Sequence, residues 1–490
     1  MTKRVVIVGG GIAGLAAAYR LRNLTPLSPS PMWQRGEGPK VGGEVSITLL
    51  ESDNRLGGKI VTERVDGFVI EGGPDTFLSY KPRGVGLCRE LGLDDRLHGT
   101  NEKIRRTYVM RRGRLYELPE GLTGLIPSRF GPMAKTGLIS PLGKLRMGLD
   151  FFIPPRPGDG DETLASFVER RLGRELYDRL IEPLLSGIYA GDGEQLSLSA
   201  TFPQLRQIEL EHGSLIKGML AARRNDVSSN GRKPDSKNRS AFLTPTTGLA
   251  EIVEALEAKL AGVEIRPGAR VTHLEANASG YVVALADGTS LHADAVILAT
   301  PAFVTADLIS GLDSQLANTL KSIPCVSTAT VSVAYPLSEI PRPLDGYGYI
   351  IPRAEGRSIL ACTWTSTKFP HRAPEGYGLI RAFIGRAGHE DILDRSDDEL
   401  LTLVRDELRA VLGIIAPPRL YRVFRWPKAM PQYTLGHLDR LRGIEQRLVA
   451  HPGLFFAGNG YRGIGIPDCI ASGEQAAQGA LAYIQSLIYV

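Results

Sequence analysis

Apolar positions along the chain follow two rhythms. Val5-Val6-Ile7-Val8 is an unbroken apolar run, the pattern of a strand buried on both faces, and Leu15 to Leu24 has the composition of a helix. A second buried strand, Ser46 to Leu50, ends at Glu51. Thr25 to Gly43 is rich in proline, serine and glycine, cannot continue the helix, and is predicted to be a surface insertion. Asp66-Gly67, between Ile60 to Arg64 and Phe68 to Glu71, and Asp287-Gly288, between Tyr281 to Leu285 and Ser290 to Ala293, predict hairpins. Residues 162–222 read as mostly helical, and polar Arg223 to Ser240 as a mobile link marking the return from an inserted domain. Ala295 to Ala299, ending in Thr300-Pro301, is expected to rejoin the first sheet. Apolar strands dominate Val326 to Phe424, with one helix at Asp397 to Leu412. The strand Leu454 to Ala457, a glycine loop and a helix from about Pro467 close the chain.

These elements predict an α/β protein with mixed α+β character. A Rossmann-like domain (1–90, 241–302 and 425–490) would be interleaved with a mixed-sheet domain (303–424). A helical domain (96–222) would be inserted between its parts, followed by the link 223–240. The length of 490 residues agrees, since single cores stop growing near roughly 250–300 residues.

Composition excludes several classes. An apolar fraction of 43% and a charged fraction of 23% are those of a folded globular chain. The net charge of +5 is small, and Arg105, Arg106, Arg111, Arg112 and Arg114 form the one basic concentration, too little for a nucleic-acid surface. Cys88, Cys325, Cys362 and Cys469 have no metal or redox spacing, and the eight histidines have no ligand pattern, so no metal is expected. The first strand begins at once and no apolar run reaches about 18 residues, which points to a cytoplasmic protein without a spanning helix.

The chemistry begins at Gly9-Gly10-Gly11-Ile12-Ala13-Gly14, a G-x-G-x-x-G turn between a strand and a helix. Glycine allows the backbone close to a pyrophosphate, and the helix N-terminus attracts its charge. Glu51, beside Ser52 at the end of the next strand, is placed to accept ribose hydroxyls once the insertion is discounted from the usual spacing of about 20 residues. Arg55-Leu56-Gly57-Gly58-Lys59 then supplies a second glycine turn with cations for phosphates, an arrangement that suits an extended FAD better than a nicotinamide.

At this point the sequence resembles the monoamine oxidase-like flavoprotein superfamily. Ile297 to Pro301 and Phe455 to Asn459 are similar to its later FAD segments, with Asn459 standing where many relatives have an acidic residue. Glu71-Gly72-Gly73-Pro74-Asp75-Thr76-Phe77-Leu78, Glu182 to Asp192, Thr201-Phe202-Pro203, Arg425-Trp426-Pro427, Met430 to Tyr433 and Gly463 to Ile470 resemble the protoporphyrinogen and coproporphyrinogen oxidase family. Ala361 to His371 and the position of Lys81 resemble its Gram-positive type, which acts on coproporphyrinogen III. Protoporphyrinogen IX remains the alternative, and Phe383 replaces a tyrosine of some coproporphyrinogen-type relatives. An amine oxidase, a carotenoid desaturase and a non-catalytic flavin protein are the remoter readings.

The resemblance implies an FAD oxidase of haem biosynthesis that passes electrons to oxygen and releases hydrogen peroxide. It implies no catalytic side chain, because the flavin N5 carries the chemistry. It adds Gly73, Pro74, Asp75, Thr76, Val271, Thr300, Trp426, Gly458, Asn459, Ile464, Gly465 and Ile466 to the cofactor site. It places Ile188, Tyr189, Thr363, Trp364 and Phe383 on the walls of a tetrapyrrole pocket and Lys81 on a substrate carboxylate. It also implies peripheral membrane contact through Gly121 to Phe152, where apolar residues mix with Arg129, Lys135, Lys144 and Arg146, and transient contact with a downstream chelatase.

Overall fold

In the computed structural model the described residues are 2–24, 45–119, 122–123, 126–127, 130–228 and 240–488. The expected insertion Thr25 to Gly43 lies outside them. The helix Leu215–Ser228 runs into the expected link 223–240, and residues 229–239 of that link lie outside the described part.

A five-stranded parallel sheet organises the cofactor half. Its order is Glu264–Arg266, Val45–Leu50, Lys3–Val8, Ala295–Leu298 and Leu454–Phe456, so strands from three remote stretches lie side by side. The apolar runs are continuous because both faces are covered. Val5 and Ile7 face a layer made by the helices Ile12–Leu24, Ala250–Ala258 and Ile466–Ile488. Val6 and Val8 face the other side, where the antiparallel strands Val271–Asn277, Gly280–Leu285 and Ser290–Ala293 pack with the helices Ala302–Leu308, Ser314–Lys321 and His437–Leu448.

The second half is built on a seven-stranded mixed sheet, ordered Leu420–Pro431, Cys325–Pro336, Tyr377–Ile384, Ile359–Trp364, Gly348–Ile350, Tyr108–Arg111 and Arg114–Glu117. The helix Asp397–Leu412 covers one face, held at its start by the Ser396/Glu399 capping box. Residues 108–117, placed by their sequence in the helical insertion, are a hairpin that joins this sheet through a parallel pairing to Gly348–Ile350. Arg112-Gly113 forms its turn, with φ of 51° and 71°, and an arginine in that conformation hides the usual hairpin signal. The strand Leu420–Pro431 likewise crosses the boundary expected at 425. A separate apolar core holds the helices between residues 133 and 215.

Candidate active site

Glycines stand beyond the carboxyl ends of three strands of the parallel sheet, Gly9 directly after Lys3–Val8, Gly57 in the loop after Val45–Leu50 and Gly458 shortly after Leu454–Phe456, and Ala299-Thr300 follows a fourth. The site is therefore at the carboxyl edge, where open α/β sheets bind ligands. The opening glycines have different jobs. A Cβ on Gly14 would overlap the Gly9 carbonyl oxygen, so Gly14 lets helix and turn pack closely. Gly9 has φ of 106° and a Cβ there would sit 2.8 Å from the Ala299 oxygen; on Gly10 it would meet Leu56 at 2.7 Å. Gly11 alone among the four faces open space, with nothing among the described residues within 4 Å of a Cβ. That opening lies at the N-terminus of the helix Ile12–Leu24, with Ile12 and Ala13 in its first turn, and its exposed N–H groups and dipole suit a pyrophosphate.

The second glycine turn docks on the first. Gly57 donates its N–H to the Gly10 carbonyl at 2.8 Å, and Gly58 lies against Gly11. Glu51 stands between them, buried, its carboxylate accepting the Gly10 N–H at 2.6 Å, the Asp53 N–H at 2.9 Å and the Ser52 hydroxyl at 3.1 Å. Its remaining lone pairs suit hydroxyl donors. Val271 follows a segment laid along this strand end, where Glu51 N–H donates to Arg266 and Gly268 N–H to Asp53.

The cations of the second turn are engaged differently from the phosphate contact expected for them. Arg55 donates to the carbonyls of Gly58 at 2.6 Å and Leu56 at 3.2 Å and so braces its own loop. Lys59 donates to the Ala429 carbonyl at 2.6 Å; burial lowers its pKa, the nearby Cys469 and Cys325 opposing. Asn459 reaches the same carbonyl at 3.4 Å, and its own carbonyl accepts the Tyr433 hydroxyl at 2.7 Å. Lys59 thus ties the opening segment to the strand of Trp426 and to the closing glycine loop.

Gly73-Pro74-Asp75-Thr76 comes to the same place. A Cβ on Gly73 would overlap the Lys59 carbonyl, and the Gly72 carbonyl accepts the Trp426 indole N–H at 2.8 Å and the Thr330 hydroxyl at 3.0 Å. Burial opposes the charge of Asp75, but Lys368 at 3.0 Å and Arg381 outweigh it and hold the carboxyl at about 2; Thr76 donates a further hydrogen bond. Thr300 lies against Gly9, its hydroxyl 2.8 Å from that of Thr305.

Opening and closing segments then meet directly. A Cβ on Gly473 would overlap the Ala13 carbonyl oxygen, so the helices Ile12–Leu24 and Ile466–Ile488 cross in backbone contact. Ahead of the crossing, the Gly465 N–H donates to Asp468 at 3.1 Å, Ile466 is buried, and Ile464 packs against the helical core. A Cβ on Gly458 would also meet nothing within 4 Å among the described residues. The two open glycines, the buried carboxylate and the helix N-terminus together fit an extended flavin dinucleotide.

A comparison with family models matches residues 12–481 to the flavin containing amine oxidoreductases. The chain belongs to that family. FAD is its cofactor, and the enzyme is a flavin-dependent oxidoreductase. The coproporphyrinogen III oxidase of Bacillus subtilis is 39% identical over 485 residues, covering 99% of both chains. The protoporphyrinogen oxidase of Homo sapiens is 34% identical over 98% of this chain and 99% of that one. The crystal structure of a protein from Exiguobacterium sp. 255-15, assigned as a protoporphyrinogen oxidase, superposes with a TM-score of 0.83 at 32% identity, covering 99% of both.

The expected substrate residues divide. Phe383 and Thr363 lie on the sheet face that turns to the Gly72-Gly73 loop, with Thr330 opposite Phe383 and Arg381 opposite Thr363. Trp364, expected beside them, points to the other face: it is fully buried under the helix Asp397–Leu412, against Tyr108 and Tyr349. One residue along a strand reverses the face, and an indole filling a core reads the same in sequence as one lining a pocket. Ile188 and Tyr189 end the helix Glu182–Tyr189; Ile188 is exposed, while Tyr189 is buried against Phe202 and Tyr433. Lys81, at the start of the helix Pro82–Glu90, has its ammonium on both oxygens of Asp468, at 2.6 and 2.7 Å.

Arg381 is the residue that motif reasoning missed. It is buried, donates to the Gly73 carbonyl, lies 4.8 Å from the centroid of Phe383, and leaves Nε and Nη1 without a partner among the described residues. One signal was present: a lone arginine inside the apolar strand Tyr377–Ile384.

Proposed function

We propose that the chain oxidises coproporphyrinogen III to coproporphyrin III, with molecular oxygen as the acceptor and hydrogen peroxide as the second product. The reading is carried by full-length similarity of 39% to a coproporphyrinogen III oxidase. Six hydrogens leave the macrocycle in three two-electron rounds, each reducing one oxygen molecule to peroxide. When bound, the flavin supplies the hydride acceptor. The protein's work is placement: Thr363 and Phe383 offer one wall, Ile188 and Tyr189 the other, and Lys81 a cation for a propionate. Trp364 has no part in the wall. Protoporphyrinogen IX is the second reading, favoured by Phe383.

Parallel assays with both porphyrinogens, following porphyrin fluorescence and peroxide, test this. Faster turnover of coproporphyrinogen III is expected; oxidation of protoporphyrinogen IX alone would replace the reading, and oxidation of neither would end it.

Membrane attachment belongs to the same reading. No described helix is long and apolar enough to cross a bilayer. The helix Pro141–Gly148 and the turn after it expose Leu142, Leu145 and Phe152 beside Lys144 and Arg146, a surface suited to anionic lipid. Cosedimentation with anionic vesicles is expected and should weaken in Leu142→Glu/Phe152→Glu; no sedimentation of the unaltered protein would dismiss the contact.

A further inference from the structure

Lys81 is already occupied. Its ammonium is held on both oxygens of Asp468 at 2.6 and 2.7 Å, and the pair is only partly exposed, with 35% of the lysine side chain and 19% of the aspartate accessible. Asp468 is also enclosed by the closing glycine loop: the Gly465 N–H donates to it at 3.1 Å, and Cβ atoms on Gly463 and Gly465 would stand 2.5 and 3.1 Å from its carboxyl group. Tyr189 lies close enough for the carboxylate to add to burial in making the phenol less acidic. The substrate-side lysine, a pocket wall and the flavin-side loop therefore converge on one carboxylate.

We infer that Asp468 is a specificity-determining residue that competes with a substrate carboxylate for Lys81. This rests on the proposed reading of Lys81 as the propionate anchor. A propionate arriving there must share or displace Asp468, and two carboxylates on one ammonium repel each other. The competition selects for ligands whose remaining groups bind well enough to offset it, and it ties the arrival of a carboxylate to the loop Gly463 to Ile466 through the Gly465–Asp468 hydrogen bond. Asp468 acts through Lys81, not on the reacting atoms, and is a positioning residue.

The test uses equilibrium binding to the FAD-loaded, oxidised protein, with coproporphyrin III and its uncharged tetramethyl ester as probes. Asp468→Asn keeps an acceptor for Gly465 and removes the charge. It should bind the tetra-acid about two- to fivefold more tightly, the range of a partly exposed ion pair, and the ester unchanged. Asp468→Glu should behave as the unaltered protein. In a Lys81→Met background the gain from Asp468→Asn should vanish. Equal tightening for acid and ester, no tightening, or a gain that survives Lys81→Met would each overturn the competition. Tetra-acid binding unchanged in Lys81→Met alone would instead remove the anchor itself, and the competition with it. FAD content and melting temperature of each variant show whether the loop still folds.

Discussion

Replacing Gly11 by alanine separates what the glycine turn does for the protein from what it does for the cofactor. Among the described residues a Cβ at Gly11 meets no atom within 4 Å, and its φ lies outside the left-handed region, so the apoprotein should accept the methyl group without strain. Alanine narrows the unfolded ensemble, and the apoprotein should be as stable or more so by up to about 1 kcal/mol. The holoprotein should respond in the opposite direction. The methyl group fills the space between the helix N-terminus and the approaching phosphate, and losing one charge-assisted hydrogen bond costs about 1.5–3 kcal/mol, or roughly a 10- to 150-fold rise in Kd. Under excess FAD the same amount is lost from ligand-linked stability. Flavin fluorescence titration of apoprotein gives the affinity, and melting with and without FAD gives the sign reversal. A Kd within twofold of the unaltered protein would show that the open space beside Gly11 is not where the pyrophosphate lies.

Three further outcomes follow from the packing and the buried charges. Gly473→Ala should lower the melting temperature with and without FAD, since the methyl group overlaps the Ala13 carbonyl and overpacking costs about 1–3 kcal/mol, partly offset by the better helix propensity. Asp75→Asn should cost about 2 kcal/mol near neutral pH, because holding the group at about 2 rather than 3.8 favours the folded state. A depressed carboxyl stabilises above its unfolded value and loses that as pH falls through the folded one, so denaturant melts of the two proteins should converge towards pH 2. Arg372→Met should destabilise by about 3 kcal/mol, leaving buried Glu71 without the guanidinium now 3.0 Å away. Burial already raises the Glu71 carboxyl, and it would rise further, so denaturant melts should show the deficit smallest in acid and growing as pH rises.

Elements with a strong local signature were legible in the residues. The helix Asp397–Leu412 has the bounds expected from its pattern, and the four apolar runs at 5–8, 46–50, 295–299 and 454–457 all pair in one sheet. The first turn was legible as a strand-to-helix turn for the same reason: the close approach of Gly14 to the Gly9 carbonyl is demanded locally. What escaped depends on tertiary geometry. The hairpin 108–117 lacks the usual turn residues and is stabilised by a pairing about 240 residues away. Trp364 and Thr363 are neighbours in sequence but lie on opposite faces of the sheet, and burial of the indole depends on a helix beginning at Asp397. The partner of Lys81 is 387 residues distant, a separation at which charge spacing carries no information.

These long separations explain why the site is assembled from chain ends. The strand Lys3–Val8 is central, flanked by Val45–Leu50 and Ala295–Leu298, and the edge strand Leu454–Phe456 can pair only once Ala295–Leu298 is in place. That edge strand positions Gly458, the loop to Ile466 and the helix whose Gly473 rests on Ala13. The helix Ile12–Leu24, which follows the first glycine turn, therefore has one flank completed by the helix Ile466–Ile488. A cofactor lying across this edge contacts segments that are brought together by the full sheet, so its binding free energy counts as stability for the contacts that close the site. The cradle remains open at Gly11 and Gly458 while Gly14, Gly73 and Gly473 are packed against backbone. The glycines are thus divided between those that hold the protein together and those that leave room for what it binds.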